Sequence, residues 1–230
     1  MKTPTIILSF DPTFEGYLSA VYSAFSENLE VIDLRPSGDN SPLIFNEVRY
    51  IPSDRQNAQR VWDALYQKGT ADLRLVYFAF LSENQELLFP IYEYIFRLLK
   101  GENPEPCKKL PVLRAKLYTW AQRVESEKRK LEATLRLQLQ YGEFRCCRLR
   151  PVYDVLPLLT RHCRLHFGSD PWMLIDTKRR YGLRKGATGI ECFRFSVELS
   201  EMAENSYAHS PEENGIGLPP REAHPLQAAV

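Results

Sequence analysis

Two carboxylates offer the first candidate chemistry. Asp11 and Glu15 lie four residues apart, just after the apolar run Thr5–Phe10 (TIILSF). A carboxylate pair beyond a strand end can do acid–base or metal work. The alternative is a helix start, with Asp11 as N-cap, Pro12 at the first helical position and Glu15 offsetting the helix dipole. Asp176 closes a second apolar run, Trp172–Asp176 (WMLID), and is the third candidate catalytic acid. His162 and His166, four apart on a predicted helix, can share a face and hold a metal with Asp170 or Asp176. No third ligand has a diagnostic spacing, so no metal and no cofactor are assigned. The histidines then read, with Arg161 and Arg164, as cations at a helix C-terminus.

The second candidate chemistry is phosphate contact. The net charge of +1 hides a segregation: residues 1–96 carry 7 Lys/Arg and 13 Asp/Glu, residues 97–185 carry 21 and 9, and residues 186–230 carry 2 and 7. The middle block is therefore at +12, between blocks at −6 and −5. A basic block of this kind attracts polyanions, unless it is a solvated helix surface with internal ion pairs. Within it, Arg136, Arg145, Arg148 and Arg150 fall on a predicted hairpin with Tyr141 and Phe144, a pattern suited to phosphate contact and base stacking. Lys178, Arg179 and Arg180, followed by Arg184 and Lys185, form a second basic cluster at a predicted corner. Arg129 lies on the outer face of a long basic helix.

The elements that must position these residues follow from periodicity. Thr5–Phe10 reads as a strand, and Phe14, Tyr17, Leu18, Val21 and Phe25 mark an amphipathic helix after it. Asn28–Arg35 and Phe45–Ile51 read as further strands, and Pro52–Ser53–Asp54 starts a helix that Gly69 ends. Residues 71–82 and 83–100 read as two buried helices, and Gly101–Pro111 as a Pro-rich connector and candidate hinge. A long helix is predicted from Val112 to about Leu135. Thr134–Tyr141 (TLRLQLQY) alternates strictly, Gly142–Glu143 turns, and Phe144–Leu149 returns, which predicts a β-hairpin. Residues 153–167 read as a helix, with Pro157 tolerable only in its first turn. Trp172–Asp176 and Tyr181–Lys185 read as strands joined by the corner 177–180, with a final strand near 191–197. These elements predict an α+β fold, with helices packed on a small, mostly antiparallel sheet that carries a basic β-hairpin. The expected organisation is a single domain over 1–198 and a disordered acidic tail over 199–230.

Length and composition exclude several classes. At 230 residues and 44% apolar, the chain can bury a core. No window nears the roughly 18 apolar residues of a membrane span. The N-terminus lacks the apolar core of a secretory signal, so a soluble cytoplasmic protein without membrane contact is expected. The five cysteines are scattered and contain no C-x-x-C pair, which argues against a disulfide framework, a zinc ribbon or an iron–sulfur cluster. P-loop, G-x-G-x-x-G, G-x-S-x-G and H-E-x-x-H patterns are absent, which disfavours kinases, NAD enzymes, serine hydrolases and common zinc proteases.

Several segments resemble one bacterial family. FDPTFEGYLSAVYSAF is similar to its opening, F-D-G-S/T-F-E-G followed by a helix, RVWDAL and YFAFLSE are similar to its middle, and VYDVLPLLTRHCRLHFGSDPWMLIDTKRRYGL resembles its closing signature. The family is domain of unknown function 4130, whose members are described as DNA repair or DNA metabolism proteins. By position, Asp11, Phe14, Glu15 and Gly16 match the opening motif. Asp154 and His162 match the closing helix, and Trp172, Asp176, Arg179, Tyr181 and Gly182 match the final motif. Pro12 stands where the family tends to have Gly, and Arg129 where it has His. The resemblance implies DNA as ligand and a radical-SAM partner similar to spore photoproduct lyase; some members are fused to a uracil-DNA-glycosylase-like domain. It implies no particular catalytic activity. The expectation is a DNA-binding repair or base-modification protein. The competing readings are a stand-alone enzyme on modified bases or nucleotides that uses the acids, and a protein-interaction scaffold.

Overall fold

A computed structural model describes residues 5–38, 47–101, 109–138, 145–168, 170–186, 189–195 and 221–222. The expected tail apart from Arg221–Glu222, which pair with a strand rather than being disordered, most of the connector 101–111, and Tyr141 and Phe144 lie outside these residues. The chain divides into two compact units, Met1–Glu125 and Ser126–Val230. The fold class is α+β.

The first unit is built around three parallel strands, β1 (Thr5–Phe10), β2 (Glu30–Pro36) and β3 (Glu47–Ile51), in the order β2-β1-β3. β1 runs parallel to both neighbours, so this sheet departs from the mostly antiparallel arrangement expected. The reason lies in α1 (Phe14–Ser26), which carries the chain back along the sheet so that β2 must restart in the direction of β1. β1 is fully flanked, and Ile6, Ile7, Leu8 and Phe10 are buried, which explains a run of apolar residues rather than an alternation. α2 (Arg55–Lys68), α3 (Thr70–Leu81), a 3-10 turn at Gln85–Leu87 and α4 (Leu88–Lys100) complete this unit with the first part of α5 (Lys109–Gln138). Phe14 lies 4.9 Å from Tyr77 and 5.0 Å from Phe80, ring centre to ring centre. The buried Tyr17 hydroxyl donates to the Leu88 carbonyl at 2.8 Å, and burial holds its ionisation well above the ordinary tyrosine value.

The second unit holds the rest of α5, then β4 (Arg145–Leu149), α6 (Leu156–Phe167), β5 (Trp172–Asp176), β6 (Tyr181–Lys185) and β7 (Ile190–Arg194). The strand order is β4-β5-β6-β7, with the two-residue β8 (Arg221–Glu222) on the outer edge of β7. β4 and β5 are parallel, and the remaining pairs are antiparallel. Leu149, Leu159, Cys163, Trp172, Leu174 and Leu183 form the core. Two thiols sit in it, and burial pushes Cys147 up to about 11 and Cys163 up to about 12, so both behave as small apolar groups at neutral pH.

Here one expectation fails. The predicted hairpin Thr134–Leu149 does not form, because α5 continues through Gln138 and β4 pairs with β5 instead. Leu117, Val124 and Leu135 are buried and Leu131 is half-buried. The apolar stripe therefore runs on at helical spacing into the start of the alternating stretch, at Leu135. A basic hairpin does exist, but it is β5–β6.

Candidate functional site

The opening motif folds into a tight corner at the carboxyl end of β1. Thr13, not Asp11, is the N-cap of α1: its hydroxyl accepts from the Gly16 N–H at 2.9 Å. The helix begins at Phe14, so Pro12 precedes the cap rather than occupying the first helical position. Asp11 is turned sideways to the end of β3. Its carboxylate accepts from the Tyr50 hydroxyl at 2.6 Å and from the Ser53 N–H at 2.9 Å. That bond to Asp11 raises the Tyr50 ionisation above its ordinary value. A Cβ on Gly16 would stand 2.5 Å from the Asp11 carbonyl oxygen and 2.9 Å from Ser53 Oγ, so only glycine lets α1 approach this corner. The buried Ser19 hydroxyl lies 2.8 Å from the Glu15 carbonyl and accepts from the Asp54 N–H at 2.9 Å, tying α1 to the start of α2. Glu15 is half-buried. Thus Asp11, Phe14, Glu15 and Gly16 do come together, as a corner whose acid is engaged on both oxygens.

Asp176 belongs to the second unit and has a different task. It is fully buried. One oxygen accepts from the Lys178 and Arg179 N–H groups at 2.8 and 3.0 Å, and the other pairs with the Arg179 guanidinium at 2.8 Å. It therefore organises the turn 177–180 between β5 and β6.

That turn is docked on the loop after β4. Lys178 Nζ donates to the Val152 carbonyl at 2.7 Å, and Arg179 donates to the Pro151 and Val152 carbonyls at 3.2 and 2.9 Å. Glu127 of α5 accepts from the Val152 and Tyr153 N–H groups at 2.6 and 3.0 Å. The Tyr181 hydroxyl donates to the Asp154 carboxylate. Gly182 is required by packing, since a Cβ there would meet the Phe193 ring at 2.3 Å and the Leu174 carbonyl at 2.8 Å. Asp154, Asp176, Arg179, Tyr181 and Gly182, five of the closing-motif positions, thus hold this turn and its neighbouring strands in shape. Trp172 and His162 are buried; His162 packs against the exposed His166 with ring centres 4.2 Å apart and the planes tilted by 43°. Among the described residues no group of three or more His, Cys, Asp or Glu is placed to hold a metal ion.

Strand direction explains where the cations fall. β4, β5 and β7 all run the same way, so their carboxyl ends share one end of the sheet, where Leu149, Asp176, Tyr181 and Arg194 stand in register. Arg150 follows β4 directly, Lys178–Arg180 follow β5, and Arg194 ends β7. Arg150, Lys178, Arg180 and Arg194 are exposed. Arg180 has φ +57°, an uncommon conformation for a side chain of its size, enforced by its N–H bond to the Asp176 carbonyl at 2.9 Å. The remaining predicted cations lie elsewhere. Arg148 and Arg184 are exposed on strands away from this turn, and Arg184 is paired with Glu191 at 2.9 Å. Arg129 is exposed on α5, Arg136 lies in its last turn, and Arg145 opens β4.

Arg194, Glu127, Tyr50 and Ser53 were not singled out by the sequence. Each acquires its place from a partner far away in the chain, and only the final strand expected near 191–197, which contains Arg194, offered any hint.

Comparison with known proteins adds the following. The family model described as Domain of unknown function (DUF4130) matches residues 85–213, just over half the chain. No curated protein matches. Among solved structures, RecJ from Thermus thermophilus in complex with Mn2+ is 9% identical with a TM-score of 0.42, covering 88% of this chain and 51% of that one. An exonuclease RecJ bound to manganese is 10% identical with a TM-score of 0.38, covering 88% of this chain and 89% of that one. The chain thus spans about half the length of the first of these structures. Among the described residues, no helix is long and apolar enough to cross a membrane.

Proposed function

The chain belongs to the domain of unknown function 4130 family, and from that premise we propose that it is a DNA-binding protein of DNA metabolism. In this reading it acts in repair or base modification beside a radical-SAM partner similar to spore photoproduct lyase, or beside a uracil-DNA-glycosylase-like protein. One observation carries it: the cationic sheet end in which Arg150, Lys178, Arg180 and Arg194 are exposed around a turn fixed by Asp176. Lys178 is steered by the Val152 carbonyl, which fixes its direction without cancelling its charge. Pre-positioned cations of this kind suit phosphate contact. Between Ser126 and Lys185, 14 Lys/Arg face 6 Asp/Glu, a net of +8.

The enzymatic reading draws less support. Asp176 is consumed by its own turn, and both oxygens of Asp11 already accept hydrogen bonds. The test is fluorescence-anisotropy titration with labelled duplex and single-stranded oligonucleotides over a salt series. Binding that weakens steeply with salt is expected. Arg180→Gly, which suits the positive φ and removes one charge, should lower the duplex salt slope by about 0.9. Absence of binding to every DNA form at low salt overturns the proposal.

A further inference from the structure

The sheet β4–β7 has two faces, and among the described residues one of them carries the core. Alternation sends Cys147, Leu149, Trp172, Leu174 and Leu183 to the face covered by α6 and the end of α5. The opposite face is fixed by register. Arg148, Ile175, Gly182 and Phe193 stand side by side across all four strands, and Met173 and Arg184 lie in the next row. None of these residues belongs to the core cluster. Ile175, Met173 and Phe193 are half-buried, while Arg148 and Arg184 are exposed.

Gly182 shapes this face. Its missing side chain leaves room that the Phe193 ring fills, with ring atoms 2.3 and 2.7 Å from where a Cβ would be. The ring therefore spreads over β6 instead of standing off its own strand. Arginines flank the apolar strip. Arg148 is three strand steps from Phe193, roughly 14 Å, and Glu191 steers Arg184 through Nε at 2.9 Å while leaving its side chain 54% exposed.

We propose that this face is a stacking platform for single-stranded nucleic acid: an unpaired base stacks on Phe193 while Arg148 and Arg184 take the neighbouring phosphates. The proposal rests on the DNA-binding reading above and names the form of nucleic acid that the unit takes. Its basis is chemical. A duplex hides its base faces inside the stack and offers phosphates to a flat surface, so an aromatic ring on a sheet face gains only from an unstacked base. A purely apolar partner would gain nothing from the two flanking arginines.

The test uses the full chain, a labelled oligothymidylate and a labelled duplex hairpin of equal length, by anisotropy. Phe193→Leu keeps an apolar group over Gly182 but removes the ring. It should weaken binding of the single strand about 5- to 150-fold and leave duplex binding within twofold. Phe193→Trp keeps a ring and should retain single-strand binding, which separates stacking from a folding defect. Arg148→Gln should lower the single-strand salt slope by about 0.7. Equal binding of both forms, unaffected by Phe193→Leu, overturns the platform and leaves the sheet-end reading intact. Loss in Phe193→Trp as deep as in Phe193→Leu also overturns it. Binding of neither form overturns both.

Discussion

Asp176 looks catalytic by its type and position, an acid at the end of an apolar strand, yet its surroundings assign it another task. Its two oxygens take two backbone N–H groups and one guanidinium, and no part of it reaches solvent. A buried acid in this setting is expensive to remove, because Arg179 would be left partly buried without its partner. Asp176→Ala should therefore cost about 3–5 kcal/mol of stability, read as a drop in the urea midpoint. Asp176→Asn should cost less, since its amide oxygen still accepts from Lys178 and Arg179. A catalytic acid with no structural role gives the opposite pattern, in which both variants keep wild-type stability. Asp11 is the subtler case. Its family motif is legible in the sequence, but the capping role falls to Thr13, two residues on. The bond from the Ser53 N–H draws Asp11 away from the helix axis, and a reading of one segment has no access to Ser53, forty-two residues later.

At the scale of elements, periodicity located each helix and most strands within a few residues, and failed where two periods coexist. TLRLQLQY satisfies a two-residue repeat, and its Leu135 also extends the stripe Leu117–Val124–Leu131 at helical steps of seven, seven and four residues. Helix wins because α5 already exists: propagation adds one bond per residue fixed, whereas a new strand must first find a partner. Leu, Arg and Gln also favour helix. Thr134 carries the mark of this outcome, its hydroxyl bonding the Lys130 carbonyl one turn back at 3.0 Å. Thr134→Ala should accordingly raise stability by about 0.5 kcal/mol, measured by urea unfolding. A strand at this position predicts the reverse, because Thr is favoured and Ala disfavoured in sheets. The parallel order of β1, β2 and β3 was illegible for a related reason. Strand periodicity reports burial, and direction is set by the path of α1.

At the scale of the whole chain, charge and topology divide the labour. The segregation of charge is arithmetic on the sequence and needs no fold. Which cations share a surface depends on three strands running the same way, which no local pattern encodes. The two units meet this logic in α5, whose residues fall on both sides of the boundary between Glu125 and Ser126. Leu117 and Val124 are buried before it, and Leu135 belongs to the second core after it. A break at the midpoint of such a helix can be read on both sides, and Ser126 at that point is exposed. Ser126→Pro removes one helical hydrogen bond and drives the ring against the carbonyl four residues back, at about 3 kcal/mol or more. If the helix acts as one element, hydrogen exchange should quicken in both the Leu117–Val124 and Leu131–Leu135 segments, and the urea midpoint should fall. Ser126→Ala should leave both segments protected. Faster exchange confined to one side of residue 126 would instead mean that each unit holds its own half of the helix, and that the long basic helix transmits nothing between the acidic first unit and the cationic sheet end.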